Sequence, residues 1–230
     1  MVFGGIQKLT LLDFPNKTAC TIFTVGCDYD CPYCHNYSLI DTAEDIQVIE
    51  ASEALGFLKT RHGLLDGVCI SGGEPLLHDG LGLFIQEVKA LGFLVKLDTN
   101  GSNPQKLKEM VETGLLDYVA MDVKNTPEKY AITIGVPGYD ATPVFESAEY
   151  LLSNVVPYEF RTTVVREFHT VEDLLSIAGL ISNADRYYLQ AFANSDKTRQ
   201  YTLSSYSDGE MEQLLSKVKT ILPVAELRGI

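Results

Sequence analysis

Three observations predict a mostly parallel α/β fold, a partial (β/α)6 TIM-like barrel. Short β-branched or aromatic runs alternate with amphipathic stretches of helical length. Polar motifs stand at the C-terminal ends of successive strand candidates. The 230 residues, 46% hydrophobic with a mean hydropathy of +0.05, suffice to bury a sizeable core.

The strand candidates, in order, are residues 18–24, 67–71, 93–98, 118–123, 159–165 and 186–190. Ile22 and Phe23 mark the first run, Val68 and Ile70 the second, and Phe93 and Val95 the third. Tyr118 and Val119 open the fourth, Thr162 to Val165 make the fifth β-branched, and Tyr187 and Tyr188 carry the sixth. Helix candidates separate and follow them at 49–61, 78–91, 104–112, 143–152, 171–181 and 208–221. Strands alternating with helices of this length imply right-handed βαβ units around a parallel sheet. Six units are too few to close an eight-stranded barrel, so an open, splayed one is expected, with a doubly wound sheet as the alternative. Residues 124–142, with Pro127, Gly135, Pro137 and Gly138, read as an extended loop carrying a short turn of helix. No repeat, low-complexity tract or long linker interrupts the chain, so one domain over 1–230 is expected.

Composition excludes several functions. A net charge of −13 disfavours nucleic acid, whose phosphates need clustered Lys and Arg. No apolar run is long enough to span a membrane, and the N-terminus lacks the pattern of a signal peptide. Five cysteines, three of them crowded together, fit a reducing cytoplasm.

That crowded trio is Cys27, Cys31 and Cys34, on the loop after the first strand. Pro32 keeps the loop irregular. Structural zinc takes four protein ligands, whereas three thiolates on a short loop also suit an iron-sulfur cluster with one iron left open. Zinc remains an alternative if Cys20, Cys69 or His35 supplies a fourth ligand. Cys20 and Cys69 lie in apolar runs and read as small buried hydrophobes. Gly72, Gly73, Glu74 and Pro75 follow the second strand; glycines admit close backbone approach, and Glu74 can support a cationic amine. The same stretch also reads as a plain strand-to-helix turn with Pro75 in its first turn. Asp98 ends the third strand, Asp122 and Lys124 the fourth, and Arg161 lies on the fifth; the aspartates also read as turn caps. All these ends belong to the edge where parallel α/β folds build their active sites. His35, His62, His78 and His169 read as solvated or structural.

Taken together, the cysteine trio and the Gly-Gly-Glu-Pro stretch resemble the radical S-adenosylmethionine (SAM) superfamily. The segments 98–101 and 121–124 extend the resemblance to the glycyl-radical-enzyme activases. It implies a 4Fe-4S cluster on Cys27, Cys31 and Cys34, and SAM held by Gly72, Gly73, Glu74, Pro75, Asp98, Lys124 and Arg161. Tyr33 contacts adenine through its backbone in this scheme, and Asp98 and Asp122 hold a monovalent cation beside the SAM carboxylate. The implied reaction is one-electron cleavage of SAM to methionine and a 5′-deoxyadenosyl radical, which takes hydrogen from a glycine Cα of a partner enzyme. A flavodoxin- or ferredoxin-type donor would supply the electron. Residues 5–15 and 161–165 resemble the subgroup that activates anaerobic ribonucleoside-triphosphate reductase. Pyruvate formate-lyase activases carry a histidine after the last strand, and residues 189–192 have none. Activation of another glycyl-radical enzyme, or small-molecule chemistry of the 7-carboxy-7-deazaguanine synthase type, are the alternatives.

Overall fold

β-branched and aromatic residues form strands wherever the alternation predicts them, and the six candidates shift by no more than one residue at either end. The computed structural model describes residues 1–41, 47–195, 198–200 and 202–229. In chain order the elements are β1 (Val2–Thr10), β2 (Ala19–Thr24), α1 (Ser38–Asp41), β3 (Ile49–Glu50) and α2 (Ala51–Lys59). Next come β4 (Gly67–Gly72), α3 (Leu81–Ala90), β5 (Leu94–Thr99), α4 (Pro104–Glu112), β6 (Tyr118–Asp122) and α5 (Pro127–Thr133). The chain ends with α6 (Thr142–Leu152), β7 (Tyr158–Val164), α7 (Val171–Leu180), β8 (Tyr187–Ala191), α8 (Asp208–Val218) and β9 (Ala225–Arg228).

Three strands were not expected. β1 contains Gly4, Gly5, Gln7 and Lys8, a poor strand composition, and is held by antiparallel pairing with β2 that is irregular on both sides of Gly5–Gln7. β3 takes the two residues assigned to the start of a helix and pairs with β1, so α2 begins at Ala51. β9 is short and parallel to β8. Local composition is a weak guide to such strands because pairing partners, not propensity, stabilise them. Two helices are also trimmed. The stretch 78–91 becomes helical only at Leu81, since a 3-10 turn at Pro75–Leu77 leaves His78 extended. The last helix stops at Val218.

The chain divides into two compact units. The first comprises Met1–Asp28, Asn36–Thr99 and Gln105–Val119; its strands run in the order β3-β1-β2-β4-β5 and continue to the start of β6. β2, β4 and β5 are parallel and in register: Thr21 faces Cys69, and Cys69 faces Lys96. Phe3 packs on Phe84 with ring centroids 4.7 Å apart, and Phe14, Ala19 and Tyr118 form a buried cluster against Leu94. The second unit comprises Tyr29–His35, Asn100–Pro104 and Ala120–Ile230, with the end of β6 followed by parallel β7, β8 and β9. The N–H of Val123, just beyond β6, donates to Arg161 O on β7. Tyr29, Tyr130 and Tyr139 pack there as an aromatic group, with the Tyr29 and Tyr139 hydroxyls 2.8 Å apart.

Helix α7 starts from a reciprocal cap in which Thr170 Oγ1 accepts from Asp173 N and Asp173 Oδ2 accepts from Thr170 N. Thr170→Ala removes the hydroxyl acceptor and is expected to cost about 1 kcal/mol. A shifted urea midpoint with an unchanged slope checks it; a variant as stable as the wild type would show that the cap contributes nothing.

Candidate active site

Within the first unit, the two ends of the cysteine loop are fastened to the Gly-Gly-Glu-Pro turn. Gly26 O, immediately before Cys27, accepts from Glu74 N at 2.9 Å, and Asn36 Nδ2, two residues beyond Cys34, donates to Gly72 O at 3.2 Å. Glycines are required here by contact. A Cβ on Gly73 would stand 1.8 Å from Gly26 O, and Gly72 has φ +114° with Thr24 backbone atoms 2.5 Å from any Cβ. At these two glycines backbone lies directly against backbone.

Glu74 is fully buried, and its Oε1 accepts from Leu76 N at 3.0 Å and from Thr99 Oγ1 at 2.8 Å. With Pro75 in the first turn, Glu74 caps the 3-10 turn and ties it to the end of β5. This is the strand-to-helix turn that the sequence also allowed, and it commits one carboxylate oxygen to the fold.

Asp98 shares its strand face with Lys96, two residues earlier. Lys96 Nζ pairs with Asp98 Oδ1, and Ser71 Oγ donates to Asp98 Oδ2 at 3.1 Å. Lys96 Nζ also stands 3.8 Å from Cys69 Sγ. Lys96 had not been singled out, although period-2 alternation with Asp98 places both on one face.

In the second unit, the central part of the cysteine loop is strapped by distant backbone. Asp30 N donates to Ile134 O just after α5, Arg199 N to Cys34 O at 3.1 Å, and Gln200 N to Pro32 O at 2.9 Å. Cys34 N closes a turn onto Cys31 O. A Cβ on Gly135 would lie 2.3 Å from Asp30 O, so this strap also depends on a glycine. Tyr33 is buried between Phe168 and Phe192, and among the described residues its hydroxyl has no hydrogen-bond partner.

Asp122, Lys124 and Arg161 form one charged group. Lys124 Nζ donates to Asp122 Oδ2 at 2.7 Å, and Arg161 Nε donates to Asp122 Oδ1 at 2.8 Å. Burial alone would raise the Asp122 carboxyl; Arg161 and then Lys124 outweigh it and hold the group well below the usual carboxylate range. Lys124 is held above the usual range, burial being outweighed by Asp122. Arg161, expected to reach a ligand, spends its Nε on Asp122. His169, one of the histidines read as solvated or structural, is structural and fastens the backbone of this group. Val165 N donates to its Nδ1 at 3.1 Å, so Nε2 carries the proton and donates to Lys124 O at 2.7 Å. Tyr130 Oη meets Lys124 N at 3.3 Å.

The thiols fit a soft metal cluster by their chemistry. Cys27, Cys31 and Cys34 are free of disulfides. Burial pushes the Cys31 thiol up to about 12, with the Lys124 ammonium pulling the other way, so metal binding there must displace a proton. Cys20 is fully buried and likewise pushed up to about 12 by burial, the behaviour of an inert core thiol. Among the described residues, no group of three His, Cys, Asp or Glu side chains is already drawn together as a metal cage. No described helix is long and apolar enough to cross a membrane.

A family model of the radical SAM superfamily matches residues 21–181. The chain belongs to the radical SAM superfamily. It is an enzyme of that α/β fold with a mostly parallel sheet, and membership implies SAM and a 4Fe-4S cluster. A protein of Methanocaldococcus jannaschii named as a glycyl-radical enzyme activating enzyme is 34% identical over 198 residues, 84% of this chain and 80% of that one. A domain of a pyruvate-formate lyase-activating enzyme from Bacteroides vulgatus superposes with a TM-score of 0.59 at 16% identity, over 71% of this chain and 99% of that one. Streptococcus suis SuiB bound to S-adenosylmethionine gives 0.71 at 15% identity, over 90% of this chain and 49% of that one. At such identities the two structures share the fold.

Burial keeps His169 neutral, below the usual histidine range, when the protein is folded. The unfolded chain binds a proton there below about pH 6.5, so His169 contributes stability above that pH which is lost as the pH falls toward the folded value. Wild-type stability should therefore decline between pH 7 and 5, by at most about 1.4 kcal/mol per unit from this residue. His169→Gln retains an amide donor for Lys124 O and should flatten that slope in urea titrations. An equal slope in both proteins would remove His169 from the account.

Proposed function

We propose that this protein is a glycyl-radical enzyme activating enzyme, with anaerobic ribonucleotide reductase as its partner. The observation that carries the proposal is the 34% identity across 80% of a protein named for glycyl-radical enzyme activation. Two features of the chain support it. The residues that flank the cysteine loop, Gly26 and Asn36, are hydrogen-bonded to the Gly-Gly-Glu-Pro turn, and residues 161–165 and 5–15 resemble the reductase-activating subgroup.

In this reading Cys27, Cys31 and Cys34 hold the cluster. When bound, the cluster supplies one electron to the sulfonium of SAM, delivered from a flavodoxin- or ferredoxin-type donor. The chain supplies position, charge and exclusion of water. Gly26 and Asn36 fix where the loop begins and ends; Arg199 and Gln200 fix its middle. Gly72, Gly73 and Pro75 give the SAM amino group a rigid backbone edge, and Glu74 stiffens that edge through Leu76 and Thr99. Tyr33 places its backbone beside adenine while its ring is locked between Phe168 and Phe192. Lys124, partly neutralised by Asp122 and oriented by His169, meets the SAM carboxylate, and Arg161 keeps Asp122 ionised. Asp98 completes the set from β5. The partner presents a glycine on an extended loop, which must be released from its own fold to enter, so the complex is weak or conformationally gated.

Two outcomes test the reading. Replacing Cys27, Cys31 or Cys34 with alanine should abolish bound iron and the broad cluster absorbance after anaerobic reconstitution, while Cys20→Ala and Cys69→Ala keep both. Loss of iron from Cys20→Ala with retention in Cys34→Ala would mean that the ligands are misassigned. Reduced protein mixed with SAM and an anaerobic ribonucleotide reductase should give a glycyl radical by electron paramagnetic resonance, with stoichiometric 5′-deoxyadenosine. Turnover of a purine-like small molecule, with no radical on any glycyl-radical enzyme tried, would overturn the assignment.

A further inference from the structure

We infer that Lys96 supplies, as a tethered ammonium, the positive charge beside Asp98 that the family resemblance assigns to a free monovalent cation. The inference rests on the proposed reading of this site as one that binds SAM. It concerns the first unit alone.

Lys96 is only 1% exposed, on β5 between Val95 and Leu97, which are also buried. A lysine costs several kcal/mol to desolvate and is kept charged inside a protein only by a close anion. Its anion is Asp98 Oδ1. The partners differ in access, for Asp98 keeps 15% of its side chain exposed. Ligand or solvent can reach the carboxylate, while the ammonium is sealed behind it. Ser71 Oγ holds the other carboxylate oxygen, so the group is fixed in orientation as well as charge. The register explains why the lysine stays in place. Thr21, Cys69 and Lys96 occupy matched positions on β2, β4 and β5, and Cys69 Sγ gives the ammonium a second, weak acceptor at 3.8 Å.

A free sodium or potassium ion bound to Asp98 would meet the Lys96 ammonium across the same carboxylate. The tethered charge is present at high effective concentration and has already given up its water; a free ion must pay for both on binding. The expected cation therefore does not fit Asp98 as this chain builds it. Repulsion between Asp98 and the carboxylate of SAM is offset instead by a charge encoded in the strand.

The experiment compares SAM binding by equilibrium dialysis on the reconstituted protein, in sodium or potassium chloride and in choline chloride at equal ionic strength. Wild type should bind equally in both, within about twofold. Lys96→Met, which leaves Asp98 without its ammonium, should bind at least about tenfold more weakly in choline and recover in sodium or potassium. Its melting temperature should rise with those ions, whereas that of wild type should not. Lys96→Arg should behave as wild type. Wild-type binding that collapses in choline would overturn the inference, as would Lys96→Met that binds normally there. If Lys96→Met fails to fold, the wild-type comparison still decides. Absence of SAM binding in every medium would overturn the functional reading itself, and this inference with it.

Discussion

The approach of Gly73 to Gly26 is the contact on which the rest of the site depends. A Cβ at Gly73 would lie 1.8 Å from Gly26 O, far inside any real contact, so the two backbone stretches touch without intervening side chains. That closeness lets Glu74 N donate to Gly26 O and sets the point from which Cys27 departs. The three cysteines are useful only if the loop has a fixed origin, because a flexible chain would spread their sulfurs over many arrangements. Here the origin is a hydrogen-bonded backbone pair, and Asn36 fixes the other end on Gly72. Substitution at Gly72 would meet both strain at φ +114° and the Thr24 backbone.

Desolvated charge is the second constraint. Asp98, Asp122 and Glu159 are each matched by a close cation. Lys96 and Asp98 share a face of β5, Lys124 follows Asp122 by two residues, and Arg161 comes from the neighbouring β7. Glu159, 1% exposed, is met in the same way by Arg228 of β9 at 2.9 Å. A buried carboxylate without a partner would destabilise the fold. Arg161 and Lys124 keep Asp122 ionised against its burial, and therefore available to a charged ligand. Pairing also makes the groups cooperative, since loss of one partner strands the other.

The sequence could be read well where a signal is local. β2 and β4 to β8 follow from β-branched and aromatic runs, and α4 from its amphipathic spacing, with boundaries that need no knowledge of neighbours. β1 was missed because Gly4, Gly5, Gln7 and Lys8 argue against a strand, and β9 because four residues carry too little pattern; both exist through the strand beside them. Glu74 illustrates a local reading with two valid outcomes. Its position before Pro75 suits either a ligand contact or a helix cap, and Thr99, brought up by β5, decides that Oε1 serves the fold. Lys96 is a different case. No motif marks it, yet the alternation that places Asp98 on one face of β5 already requires Lys96 to face the same way.

By itself, the sequence determined the superfamily and the chemistry of the ligands. Three thiols at short spacing, glycines in a turn, and acids at strand ends are properties of residue type and order, and residue type sets which atoms can bind iron or carry charge. It determined most of the parallel strands too, because side-chain alternation is a property of neighbours in the chain. Only the tertiary structure decided which charges meet, which glycines touch backbone, and which carboxylate oxygens are already taken. Those outcomes depend on strand register and on contacts between residues far apart in sequence, such as Asn36 with Gly72, Gln200 with Pro32 and His169 with Lys124. The free energy of such pairs exists only once the chain has folded and expelled water, so no local pattern records it.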